Sequence, residues 1–305
     1  NPAWWIDGEA TPSRRRLHTR LLEEAREAAP DVEQQRRAIV LAGPPGAGKS
    51  TVLAEVLREH RGKYLVIDAD EFKRSLLREA QADGSYDQWL VPAAIREREA
   101  QGERFYPLEL ASLVHEESSY LAKSLRADAI AAGDNIVIDT VLSKEAGALA
   151  LGQLLSEAGY DVRVIDVEVP YEVSEERIRG RWQDAYTTAL EGGDSLGGRW
   201  VPSEYAREVF DGPGGCSMPE AAARALAEQC PAVSRYRVFR TTVAEARLAE
   251  TEGRPTQVTV EVDKSRSSRG SALLDTALAR TQTRAAASRP TAQHRVRSTN
   301  GPERT

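Results

Sequence analysis

Eight consecutive residues, Gly43-Pro44-Pro45-Gly46-Ala47-Gly48-Lys49-Ser50, fit the pattern G-x-x-x-x-G-K-[ST] in full, the spacing that wraps backbone amides around phosphate. Glycine lets such a loop turn its N–H groups inward. A helix opening at Lys49 adds about half a positive charge at its N-terminus. Lys49 would reach the β- and γ-phosphates of ATP, and the Ser50 hydroxyl is a hard oxygen ligand suited to Mg²⁺. Thr51 closes the set of nucleotide-binding candidates. ATPases, GTPases and small-molecule kinases share such a loop, so the reaction must be read from other residues.

Two carboxylate positions follow apolar runs. In Val66-Ile67-Asp68-Ala69-Asp70-Glu71-Phe72-Lys73, a carboxylate could take the proton of an attacking hydroxyl, or could cap the next helix. In Ile136-Val137-Ile138-Asp139-Thr140, the Asp at a strand end is placed to anchor Mg²⁺. Arg177 and Arg181 share one helix face, and Arg199 follows a glycine-rich stretch, 191–198, that reads as a closing lid. Arginines so placed could neutralise charge on a transferring phosphoryl group.

The elements that must hold these residues are short buried strands alternating with helices. Apolar runs at 38–42, 64–67, 135–139 and 162–167 read as strands, with helices at 49–60, 72–77, 108–132, 144–158 and 171–190 between and after them. Strands apolar on both faces predict an α/β fold, a parallel sheet covered by helices on both faces. Residues 1–35 read as an N-terminal helical arm and 36–230 as the core, with an insertion at 81–107 and the lid at 191–200. Residues 231–263 carry two further short strands, read as an added hairpin.

The 305 residues, 41% hydrophobic and 29% charged, have the balance of a globular chain. No apolar run is long enough to cross a membrane as a helix. The opening residues lack a leader pattern, and the absence of an initial Met suggests a processed chain or a piece of a longer one. Two cysteines, Cys216 and Cys230, can form neither a disulfide framework nor a zinc site alone, so a cytoplasmic setting is expected. The net charge of −6 divides unevenly: residues 264–305 hold nine Lys or Arg against Asp275 and Glu303. That tail is predicted to be disordered and is the one part suited to nucleic acid; the acidic remainder is not.

The loop, the Asp68–Lys73 stretch, Arg181 and Gly198-Arg199-Trp200, in this order, make the chain resemble the zeta toxin family, P-loop kinases of toxin–antitoxin systems. The resemblance runs over about half the chain, 36–202. It implies ATP-dependent phosphorylation of UDP-N-acetylglucosamine at its 3′-hydroxyl, and an antitoxin protein as partner. Asp70 then matches the catalytic base, Arg181 and Arg199 the phosphate-stabilising arginines, and Lys49, Ser50 and Asp139 the ATP and Mg²⁺ contacts. Asp68, Phe72, Lys73 and Thr140 fall on the acceptor side. The family's acidic substrate residue has Glu116 or Glu117 as its nearest counterpart. Here Asp139 precedes Thr140-Val141, where the family has Gly-Thr. Two other readings stay open: a kinase of another small molecule or nucleic-acid end, and a slow ATPase switch.

Overall fold

The computed structural model describes residues 4–253 and 258–276. In chain order the elements begin with β1 (Trp5–Ile6), β2 (Glu9–Ala10) and α1 (Pro12–Glu27). The core opens with β3 (Arg37–Ala42), α2 (Lys49–Leu57), β4 (Leu65–Asp68) and α3 (Ala69–Ala82). Then come α4 (Ala93–Ala100), α5 (His115–Ala132), β5 (Ile136–Asp139), α6 (Glu145–Glu157), β6 (Asp161–Glu168) and α7 (Tyr171–Leu190). The chain continues through α8 (Ser203–Phe210), α9 (Met218–Gln229), β7 (Val233–Arg240), α10 (Val243–Thr251), β8 (Thr259–Ser265) and β9 (Leu274–Asp275).

Seven strands form one sheet in the order β4-β5-β3-β6-β7-β8-β9. From β4 to β7 every neighbour is parallel; β8 and β9 are antiparallel. Alternation along the strands explains why both faces are covered. Ile39, Leu41, Val137, Ile165, Val167 and Phe239 pack with Val52 and Leu53 of α2 on one face. Ala38, Val40, Ile138, Val162, Val164 and Val238 pack with α6 and α9 on the other. Among the described residues no helix is long and apolar enough to cross a membrane.

Three expectations are corrected. Residues 231–263 are not an appended hairpin: β7 extends the parallel sheet beside β6, and α10 separates it from β8. The added strands pass the expected boundary, with β8 ending at Ser265 and β9 at Asp275; residues 277–305 of the basic tail lie outside the described residues. The helix expected at 108–132 begins at His115, because Pro107–Val114 winds as a tighter 3₁₀ segment. The N-terminal arm is packed onto the core. Trp4 is buried and meets Trp89 of the insertion edge to face, with ring centroids 5.9 Å apart.

Beneath α9, β6 carries an unusual load. Asp166 is fully buried, and neither of its oxygens has a hydrogen-bond partner among the described residues. Burial first, then the neighbouring Glu168, pushes its carboxyl well above the usual range. Burial also pushes Glu168 up to about 7, although Ser217 Oγ donates to it at 2.7 Å.

Candidate active site

The loop leaves β3 and is held by the start of α7. Ser174 Oγ donates to the Pro45 carbonyl at 2.6 Å, and Arg177 donates to the carbonyls of Gly46 and Ala47 at 3.3 and 3.4 Å. Gly46, at φ 75°, lies so close to α7 that a Cβ would come within 2.7 Å of the Ser174 carbonyl oxygen. That conformation and that space both exclude a side chain. Gly48 caps α2 without a side chain, so the helix N-terminus is left open. The amides of Gly46, Gly48, Lys49 and Ser50 have no partner among the described residues. Lys49 Nζ donates to the loop's own carbonyls, Gly43 at 3.0 Å and Pro44 at 3.4 Å. Burial holds its ammonium below the ordinary value, against the opposing pull of Asp139, Asp68 and Asp70.

The carboxylates converge on this loop because β4, β5 and β3 are adjacent. Asp68 pairs in register with Asp139, and Asp139 with Leu41. Asp68 Oδ1 accepts the Asp70 N–H at 2.8 Å, so Asp68 caps α3 and leaves the Asp70 carboxylate free to face the site. Burial pushes Asp68 up to about 6 and also raises Asp139, whose carboxylate has no hydrogen-bond partner among the described residues. Asp70 goes the other way. Burial alone would raise it, but Arg199 and Lys73 outweigh that and hold it below the ordinary range. Lys73 Nζ lies 2.9 Å from Asp70 Oδ1, and the Arg199 guanidinium contacts Oδ2.

Arg181 stands beside Arg199 and Asp70, and no protein acceptor engages it among the described residues. An open arginine next to empty amides suits an anion. Ser50 presents an exposed hydroxyl on the first turn of α2. Its hydroxyl and the uncommitted Asp139 carboxylate are the hard-oxygen groups that a divalent cation takes.

The stretch expected as a lid, 191–200, is anchored at its centre. Leu196 is fully buried, and its carbonyl accepts the Leu108 N–H at 2.9 Å. The segment is a strap held at 196–198, where Gly198 packs against Trp182 of α7, while 191–195, Arg199 and Trp200 are exposed.

Several acceptor-side candidates are placed elsewhere. Phe72 is a core residue of α3. Glu117 turns away from the site: Arg14 Nε and Nη2 donate to it at 2.5 and 2.8 Å, and His18 Nε2 lies 2.6 Å away. Glu116 is exposed one residue earlier. The Thr140 hydroxyl accepts the Leu142 N–H at 3.2 Å. His115 opens α5 within reach of the Lys73, Arg199 and Asp70 charges. Burial first, then the two cations, lowers its pKa.

Residues 39–191 match the AAA domain family, half of the chain. The chain belongs to that family. Among solved structures, this AAA-domain chain is similar to a chain of the AvrRxo1-ORF1:AvrRxo1-ORF2 complex, in one structure with sulphate ions and in one with ATP. The TM-score is 0.53 in each case, at 21% and 20% identity, covering 90% of this chain and 73% of the other. A structure from the PezAT toxin–antitoxin system of Streptococcus pneumoniae matches at TM-score 0.46 and 18% identity, over 76% of this chain and 78% of that one. The AvrRxo1 likeness shows a shared fold, the mostly parallel, helix-covered sheet that carries the phosphate loop. No curated protein sequence matches the chain.

Proposed function

We propose that the chain is an ATP-dependent kinase that transfers the γ-phosphoryl group to a hydroxyl of a UDP-activated amino sugar. One observation carries the kinase reading. Asp68 is spent on capping α3, which leaves the ionised Asp70 alone among three cations, facing the phosphate loop. Asp70 would take the proton of the acceptor hydroxyl, whose oxygen attacks the γ-phosphorus as ADP leaves. Lys49 would exchange the carbonyls of Gly43 and Pro44 for phosphate oxygens, and Arg181 and Arg199 would neutralise the transferring group. Ser50 and Asp139 would hold Mg²⁺, which would supply positive charge to offset that of the phosphates. Lys73 would orient Asp70, and His115, close to the Lys73, Arg199 and Asp70 charges, would stand on the acceptor side.

UDP-N-acetylglucosamine as acceptor rests on the resemblance to zeta toxins carried by Asp68–Lys73, Arg181 and Arg199. A protein partner belongs to the same reading, and AvrRxo1-ORF1 is itself held in a complex with AvrRxo1-ORF2. The test is transfer from labelled ATP to UDP-N-acetylglucosamine, with Asp70→Asn alongside. Loss of a general base predicts a fall in kcat of about 10²–10⁴-fold, with ATP binding kept within a few-fold. Unlabelled sugar nucleotide beside intact ATP binding would overturn the acceptor. An Asp70→Asn variant as active as wild type would overturn the base.

A further inference from the structure

Each arginine assigned to the phosphates is followed by a tryptophan, in Arg181-Trp182 and Arg199-Trp200. The two indoles meet edge to face, with centroids 5.2 Å apart and planes at 74°. Such contacts stabilise beyond the area they bury. Trp182 is fixed from behind. Its Nε1 donates to Glu109 Oε1 at 3.1 Å, and Glu109 Oε2 accepts the Tyr106 N–H at 2.7 Å. Tyr186 packs on Trp182 with centroids 5.4 Å apart and on Tyr106 at 5.2 Å. The strap leans on the same residue: a Cβ on Gly198 would lie 2.6 Å from the Trp182 carbonyl oxygen. Backbone on one side of Arg199 and an indole on the other therefore rest on Trp182.

Arg199 needs such support. Its side chain is 41% exposed, and Asp70 is its one hydrogen-bonding partner among the described residues. An arginine on an exposed stem gives up much of its rotamer freedom when it is fixed in one place. We infer that Trp200, seated on Trp182, is a positioning residue that holds the Arg199 guanidinium against Asp70 and beside Arg181. Its consequence for catalysis rests on the kinase reading, whereas the contact itself exists without nucleotide and can be tested without transfer.

The test is the pH titration of the Asp70 carboxyl, followed by NMR on the full chain with ¹³C-labelled aspartate. Wild type is compared with Trp200→Ala, Trp200→Leu, Trp200→Phe and Arg199→Ala. The groups facing Asp70 are Lys73 on its own helix, Arg199 on the strap, Lys49, Arg181, His115, Asp68 and Asp139. Of these groups Arg199 is the one next to Trp200 in the chain, and Arg181 is held separately on α7. Arg199→Ala should raise the Asp70 midpoint. Trp200→Ala and Trp200→Leu should reproduce at least half of that rise, and Trp200→Phe, which keeps a ring, should stay near wild type. In transfer assays Trp200→Ala should lower kcat by about tenfold, with KM for ATP within about twofold, and Trp200→Phe should restore it. An Asp70 midpoint unmoved in both Trp200→Ala and Trp200→Leu overturns the inference, as does one unmoved in Arg199→Ala. Midpoints that move as described without transfer to any acceptor overturn the kinase reading and leave the positioning role standing.

Discussion

Glu117→Gln should lower the melting temperature by about 6–12 °C, a figure built on how completely the arm's anchor is buried. The side chains of Arg14 and Glu117 are 3% and 7% exposed, and the carboxylate takes three donors, two from Arg14 and one from His18. Gln keeps one accepting oxygen but removes the charge, which leaves the Arg14 guanidinium buried and unpaired. Breaking a buried pair this way removes about 3–5 kcal/mol. The retained oxygen puts the loss near the lower figure, about 3 kcal/mol, and each kcal/mol shifts Tm by roughly 2–4 °C in a chain of this size. Thermal unfolding at pH 7 reads the effect. Arg14→Met combined with Glu117→Leu should recover part of the loss, because no unpaired charge remains. The pH dependence has a definite sign. Burial would raise the Glu117 carboxyl, yet the His18 and Arg14 hydrogen bonds outweigh it and depress its pKa. Its stabilisation is therefore present above the ordinary carboxylate range and fades as pH falls through the lower folded value. The gap between wild type and Glu117→Gln should close in acid. A Tm within about 2 °C of wild type at pH 7, or a double variant less stable than the single one, would refute this account.

Lys49→Met should weaken ATP binding by about 10–100-fold in titration calorimetry, as expected for losing charge-assisted bonds of about 1.5–3 kcal/mol; unchanged affinity would remove Lys49 from the nucleotide site. Asp166→Asn should raise Tm at pH 8 and do so less at pH 5. Asp166 and Glu168 hold protons in the folded chain that the unfolded chain releases, so stability declines as pH rises from the ordinary carboxylate range through about 7. An equal effect at both pH values would place the strain elsewhere than in ionisation.

The phosphate loop and its setting were legible because they are local: glycine spacing, a buried strand before it and a helix after it. The same holds for the apolar runs of β3, β5 and β6, whose two covered faces follow from composition alone. The register of β7 was not legible. Its partner β6 lies some 70 residues earlier, and alternation in Val233–Arg240 fits either strand direction. Glycines at 191–198 suggested looseness, whereas Gly198 serves close packing against Trp182. Glu116 and Glu117 are neighbours in sequence but diverge, because helical spacing turns Glu117 toward α1. For His115, the proline at 107 and the tight turn after it were the available signal that a helix, and its N-terminal edge, begins later.

The anchor between Arg14 and Glu117 also sets a clock on the ribosome. The two partners are 103 residues apart, so at about 5–20 residues per second the arm emerges some 5–20 seconds before its acceptor. The central strand β3 waits similarly, since β5 and β6 lie about 100 and 125 residues downstream. During that interval Arg14 stays hydrated, and Trp4, Trp5 and Leu21 have no core to cover them. A nascent chain halted before residue 117 therefore exposes an aromatic, amphipathic segment, of the kind that chaperones hold until the rest of the polypeptide arrives.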